Sequence, residues 1–223
     1  MRYCKDLLNG DRPKMNITTG GHNGFFCIKS IEQPIRQTGT TAAKQHNLAL
    51  AIKNIDHIII PPGKIFSFWH LLKDPSTAKG YKKSRTIIGN NLQEETGGGL
   101  CQLSGLIYYL ALHAGLTIIE RHPHSMDIYR EEERFTPLGS DATVVYGYKD
   151  LRIKNHFHFP VALSFCLAER SLKGMLFAAE ERQPLFITFD YVRNNSHTHV
   201  TTMRRDNDDI VVLDRSSYLI AAI

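Results

Sequence analysis

Apolar positions follow two different periods along the chain. Leu100, Leu103, Leu106, Ile107, Leu110, Ala111 and Ala114 recur at helical spacing and form one stripe. They predict a helix from Leu100 to Ala114, stopped by Gly115. Ala42, Ala43, Leu48, Ala49, Ala51, Ile52 and Ile55 predict an earlier helix from about Thr41 to Asp56, with Thr40 or Thr41 as its cap. Ile58-Ile59-Ile60 then reads as a short strand stopped by Pro61-Pro62-Gly63, and Lys64 to Trp69 as extended chain.

Beyond the second helix the period changes to that of strands. Leu116 to Glu120, Asp141 to Gly147 and Leu151 to Asn155 read as strands. Pro160 to Phe165 and Gly174 to Ala178 read as a hairpin. Leu185 to Tyr191, His199 to Met203 and Ile210 to Leu213 follow as further strands. Arg121-His122-Pro123-His124-Ser125 is a polar exit from the strand before it, and a loop runs on through Glu131-Glu132-Glu133 to Ser140. Residues 1–34 read as irregular, punctuated by Asn9-Gly10-Asp11 and Thr19-Gly20-Gly21. Helices first and strands second predict an α+β fold, with N-terminal helices packed on an antiparallel sheet.

Bulk composition narrows the class. The 223 residues are 42% apolar and 22% charged, which suits one globular domain and excludes a disordered tail or a disulfide scaffold. The net charge of +5 is spread out, and its densest run, Lys79 to Arg85, lacks the interleaved aromatics of a nucleic-acid binder. That run reads first as a solvated loop or strand edge and second as a site for an anionic polymer. No stretch reaches the roughly 18 apolar residues of a membrane span, and the start is too polar for a signal peptide. The expected location is therefore cytoplasmic, or extracytoplasmic if the N-terminus is incomplete. Cys4, Cys27, Cys101 and Cys166 are far apart and form no CxxC pair. Cys166, inside the apolar run Val161 to Leu167, reads as a core residue.

Cys101 is the residue that points to chemistry. It falls in the first turn of a predicted helix, behind Gly97-Gly98-Gly99. A helix start carries partial positive charge and unpaired N–H groups, which favour a thiolate and can hold an oxyanion. The three glycines leave room for a substrate against the backbone. Cys101 shares a helix face with Ser104, Gly105 and Tyr108, away from the leucine stripe, and that face reads as the edge of a cleft. A thiol nucleophile needs a base and an orienting group. His124, on the strand exit, and Asp141, at the start of the next predicted strand, supply them, with Asp127 as an alternative carboxylate. Cysteine on a helix start, histidine and aspartate on neighbouring strands is the layout of transglutaminase-like and papain-like thiol enzymes. Gly97, Gly98, Gly99, Gln102, Ser104, Tyr108, His122 and Ser125 are the candidate binding residues around it. A metal site built from His122-x-His124 and His156-x-His158, completed by Cys101 or Asp141, is a second chemical reading, but its spacing matches no strong zinc motif. No metal or cofactor is therefore expected.

The string from Gly97 through Gly-Gly-Leu-Cys-Gln-Leu to Ser104, continuing to Ile107-Tyr108, resembles the signature of VanW-like proteins. Pro62 to Phe68 precede it, Gly80-Tyr81 and Gly89 lie between, and Glu120 to Ser125, Gly139 to Val144 and Asp150 to Asn155 follow in order. The resemblance divides the chain into an irregular segment (1–34), a VanW-like domain (35–182) and a strand-rich extension (183–223) belonging to the same domain. It implies a cell-wall or glycopeptide-resistance context and a peptidoglycan peptide or glycan as partner. Two roles fit: a peptide or glycan binding module, and a cysteine-dependent amidase, peptidase or acyltransferase.

Overall fold

The computed structural model describes residues 15, 17–88, 91–127, 134–206 and 209–220, with backbone alone for 85–88, 91–95 and 206. It begins with strands β1 (Thr18–Thr19) and β2 (Phe26–Pro34), helix α1 (Thr41–Ile55), and strands β3 (Ile58–Ile60) and β4 (Ile65–Ser67). The short helix α2 (Phe68–Leu72), strands β5 (Lys83–Ile88) and β6 (Asn91–Thr96), and helix α3 (Leu100–Ala114) follow. Next come β7 (Thr117–Glu120), β8 (Met126–Asp127), β9 (Arg152–Lys154), β10 (Val161–Leu167) and β11 (Ser171–Ala178). The chain closes with β12 (Phe186–Arg193), β13 (His197–Asp206) and β14 (Asp209–Ile220).

These strands form four sheets among the described residues, ordered β1-β3-β10-β11-β2, β12-β13-β14-β8, β4-β9-β7 and β5-β6. The protein is mostly β, 41% strand against 21% helix. The expected α+β arrangement of N-terminal helices on one antiparallel sheet, laid out like a transglutaminase or papain, is therefore incorrect. The expectation failed because several strands carry little alternation. β2 (FCIKSIEQP) alternates weakly and follows a glycine-rich stretch, so its nine residues read as irregular chain. β5 and β6 (KSRTII and NLQEET) are mostly polar.

The two long helices and the β10–β11 hairpin lie where periodicity places them. Phe68 and Trp69 depart from the extended reading: Ser67 accepts the His70 N–H and starts α2. Cys166 is exposed and not a core residue; it lies near the far end of β10, beyond the stretch Val161 to Leu163 that pairs with β3. Cys4 lies outside the described residues, as do residues 131–133 of the predicted loop. In the basic run, Lys79, Lys82 and Lys83 are exposed on a turn and the start of β5. No helix among the described residues is long and apolar enough to cross a membrane.

Helix α3 is buried on nearly every side, as its apolar content demands. One flank packs on β2 and β11. Gly174 of β11 makes room there: a side-chain carbon at that position would stand 2.9–3.1 Å from Leu106 and Leu110. The start of α3 is held by α1. Asn47, fully buried, donates from Nδ2 to the Lys82 and Gly98 carbonyls (2.9 and 3.1 Å) and accepts the Lys82 N–H at Oδ1 (2.8 Å). It thereby fixes the entrance to β5 and the glycine turn before α3. Asn47→Ala leaves those buried groups unpaired, and we expect a loss of about 2–3 kcal/mol in urea unfolding.

Candidate functional site

The glycine turn is shaped by packing within the chain. Gly97 and Gly99 have φ of 87° and 101°, where other residues are strained. A side-chain carbon at Gly98 would meet the Ser84 backbone at 2.8 Å, and one at Gly99 would meet Lys44 Cγ at 2.8 Å. The triplet thus lets α3 begin hard against α1 and β5. Gly99 is the N-cap, and the N–H of Cys101 meets no acceptor among the described residues.

Cys101, half-buried, faces the segment 139–144. That segment was expected as part of a strand from Asp141 to Gly147, and it is not one: only an isolated bridge joins Val145 to Lys149. Its backbone groups are bound by partners other than a strand. The Ala142 carbonyl accepts from Ser104 Oγ (2.6 Å), and the Asp141 carbonyl from Arg121 Nε (2.7 Å). The Thr143 N–H donates to the His122 carbonyl (2.7 Å), and the Val144 carbonyl lies 3.9 Å from Cys101 Sγ. The loop passes close over Gly105, where a side-chain carbon would be in ordinary contact with the Asp141 and Ala142 backbone at 3.4–3.5 Å.

Cys101, His124 and Asp141 come together. Asp141 Oδ2 accepts from His124 Nδ1 (2.6 Å) and from the His124 backbone N–H (2.8 Å). With Nδ1 so engaged, Nε2 is the ring nitrogen left free of Asp141, and His124 and Cys101 are close enough to shift each other's ionisation. Burial pushes the thiol up, but the His124 hydrogen bond and positive charge outweigh it, and Cys101 sits below its ordinary value despite the opposing charge of Asp141. Burial likewise disfavours the imidazolium, but hydrogen bonds to Asp141 and Cys101, with their charges, push His124 up to about 10. For Asp141, burial is outweighed by the His124 hydrogen bond and the charges of His124 and Arg121, which hold the carboxyl below the usual carboxylate range. All three shifts favour a thiolate–imidazolium–carboxylate row.

The remaining candidates are engaged elsewhere. Ser104 is fully buried and ties α3 to the Asp141 loop. Tyr108 is buried with its ring 5.0 Å from the Arg121 guanidinium carbon. The face shared by Cys101, Ser104 and Tyr108 is thus covered by this loop and Arg121 rather than forming an open cleft edge. Gln102 Nε2 donates to the Pro34 carbonyl at the end of β2 (3.1 Å). His122 pairs with Glu120 (2.8 Å), and the exposed Ser125 receives the Leu219 N–H on its carbonyl (2.9 Å). Asp127 pairs with Arg134. His156 bonds Thr117 (3.0 Å) and His158 bonds Glu180 (3.0 Å), and no metal-holding group of three His, Cys, Asp or Glu forms among the described residues.

Sequence reasoning missed the support behind Asp141. Oδ1 accepts from Arg121 Nη2 (2.8 Å) and from the Tyr218 hydroxyl (2.5 Å). Arg121 also binds Asp214 (2.8 Å) and Ser216. Asp214, Ser216 and Tyr218 alternate along β14, so they share one face. That alternation is the available signal, and it lies beyond the strand expected from Ile210 to Leu213, which runs on to Ile220.

Comparison with known proteins places the site in a family context. The family described as "VanW like protein" matches residues 43–177. The chain is 34% identical over 143 residues to the vancomycin B-type resistance protein VanW of Enterococcus faecalis, covering 64% of this chain and 52% of that protein. It is 33% identical over 121 residues to the uncharacterized protein YoaR of Bacillus subtilis, covering 54% of this chain and 38% of that protein. The chain thus spans about half or less of the length of these relatives. No solved structure matches.

The raised His124 fixes a pH dependence. Its folded pKa of about 10 exceeds the ordinary 6.5, so its contribution to stability is complete below about pH 6.5 and is lost as pH rises through about 10. Wild type should exceed His124→Gln in unfolding free energy by about 1–3 kcal/mol at mildly acid pH, and the gap should close in alkali. Urea titrations of both proteins across this range check it.

Proposed function

The chain belongs to the VanW-like family, and from that premise we propose that it is a cysteine-dependent enzyme of acyl transfer or hydrolysis acting on cell-wall peptide. The observation that carries this reading is the convergence of Cys101, His124 and Asp141 at the start of α3, with His124 bonded to Asp141 and coupled electrostatically to the thiol. The Cys101 thiolate attacks a carbonyl carbon, and the carbonyl electron pair moves onto oxygen. The unpaired Cys101 N–H at the positive end of α3 faces the charge that develops there. As the tetrahedral intermediate collapses, His124 Nε2 gives its proton to the leaving amine, and a thioester remains. His124 then takes a proton from water or an acceptor amine, which attacks the thioester and releases the thiolate. Asp141 keeps Nδ1 protonated and the ring oriented throughout.

The cell-wall context is carried over from the Enterococcus relative, whose name ties it to B-type vancomycin resistance. A second reading, a peptide or glycan binding module, draws support from the turn after Val144. Tyr146 and Tyr148 are exposed there, close in sequence to the carbonyl that meets Sγ, and offer ring faces for stacking. Against it, the Gln102 amide nitrogen, the Ser104 hydroxyl and the Tyr108 ring are engaged within the protein.

Incubation with soluble peptidoglycan fragments, followed by mass spectrometry, tests the proposal. We expect product release and a trappable acyl adduct on Cys101, with turnover falling at least about 10³-fold in Cys101→Ser. Equal binding of fragments by wild type and Cys101→Ser, without turnover in either, would establish the binding module instead.

A further inference from the structure

Part of the support behind Asp141 comes from outside the family match, which ends at residue 177: Arg121 lies within it, but Asp214, Ser216 and Tyr218 of β14 lie beyond it. Arg121, with 4% of its side chain exposed, lies between the site and β14. Its Nη1 meets Asp214 Oδ2 (2.8 Å) and Ser216 Oγ, and its Nη2 meets Asp141 Oδ1 (2.8 Å), the Tyr218 hydroxyl (2.8 Å) and the Gly139 carbonyl (3.2 Å). Ser216 Oγ in turn donates to Asp214 Oδ2 (2.7 Å). The strand itself is tied beside His124: Leu219 donates to the Ser125 carbonyl, and Leu219 and Ile220 pair in parallel with Met126 and Asp127 of β8.

A carboxylate has two oxygens, and here they have separate duties. Oδ2 serves His124, and Oδ1 serves Arg121 and Tyr218. With Oδ1 held at two points, the carboxylate plane cannot swing, so Oδ2 stays aimed at Nδ1. We propose that the C-terminal sheet is a working part of the site, with Arg121 and Tyr218 as positioning residues that act on His124 through Asp141. This rests on the role given to Asp141 in the proposed mechanism.

The sign of the effect separates positioning from its alternatives. Loss of the Tyr218 hydroxyl without movement of Asp141 leaves more negative charge for His124 and raises its pKa. Loss of alignment lengthens the Asp141–His124 bond and lowers it. The experiment is an NMR titration of His124 in wild type, Tyr218→Phe and Ser216→Ala, each with a thermal melt; neither substitution removes a charge. It is repeated in a Cys101→Ser background so that the thiol does not enter the readout. We expect the His124 pKa to fall by about one unit or more in Tyr218→Phe, and in the same direction in Ser216→Ala, which loosens Arg121, with the melting temperature nearly kept. An unchanged or raised His124 pKa in a folded variant overturns the inference. If Tyr218→Phe fails to fold, Ser216→Ala decides by the same criterion. Alkylation of wild-type Cys101 by iodoacetamide is followed in parallel. An inert thiol beside a His124 that responds as expected would sink the enzyme reading and leave this inference standing.

Discussion

A carboxylate held among neutral groups would take up a proton; one held among donors keeps its charge. Asp141 is in the second situation. It meets the nearly buried Arg121 guanidinium, the Tyr218 hydroxyl, and both the ring and the backbone N–H of His124. Burying such charges is costly unless every donor and acceptor is used. Arg121 supplies donors along two edges of its plane, one toward β14 and one toward the 139–141 turn. This one ion pair joins the C-terminal sheet, the strand exit at 121–125 and the loop over α3, and the imidazole takes its place from them.

The loop over α3 shows how the fold serves the same constraint. It is held on the helix by Ser104, which captures its Ala142 carbonyl. A residue of the helix face beside Cys101 is therefore spent on bringing Asp141 within reach of His124. The thiol is left at the end of that seam, where the helix start and the Val144 carbonyl meet. Mechanism and packing draw on the same residues, so a polar side chain in the signature string is not by itself a substrate contact.

Parts of this were legible in the sequence, for physical reasons. An apolar stripe at helical spacing, bounded by glycines, is a strong local signal, and α3 spans the residues it predicts. The thiol, the imidazole and the carboxylate were legible by residue type and order, and the structure brings these three together. What was illegible is what tertiary structure decides. Asp141 to Gly147 alternates like a strand, yet its hydrogen bonds go to Ser104, Arg121 and the His122 carbonyl. Arg121 read only as part of a polar strand exit, because its β14 partners lie more than ninety residues away. The sheet arrangement was misjudged because β2, β5 and β6 carry too little alternation to announce themselves.

The central claim is that Cys101 and His124 stand as a charged pair held by Asp141. The most direct measurement is the ultraviolet thiolate absorbance of the intact protein as a function of pH, with the Cys101→Ser signal subtracted to remove Cys4, Cys27 and Cys166. The account predicts a thiolate that forms below the ordinary thiol value of 9.0. It also predicts that this titration moves up when His124 is replaced by glutamine. A Cys101 thiol that ionises at or above 9.0 in wild type, unchanged by that replacement, would contradict it.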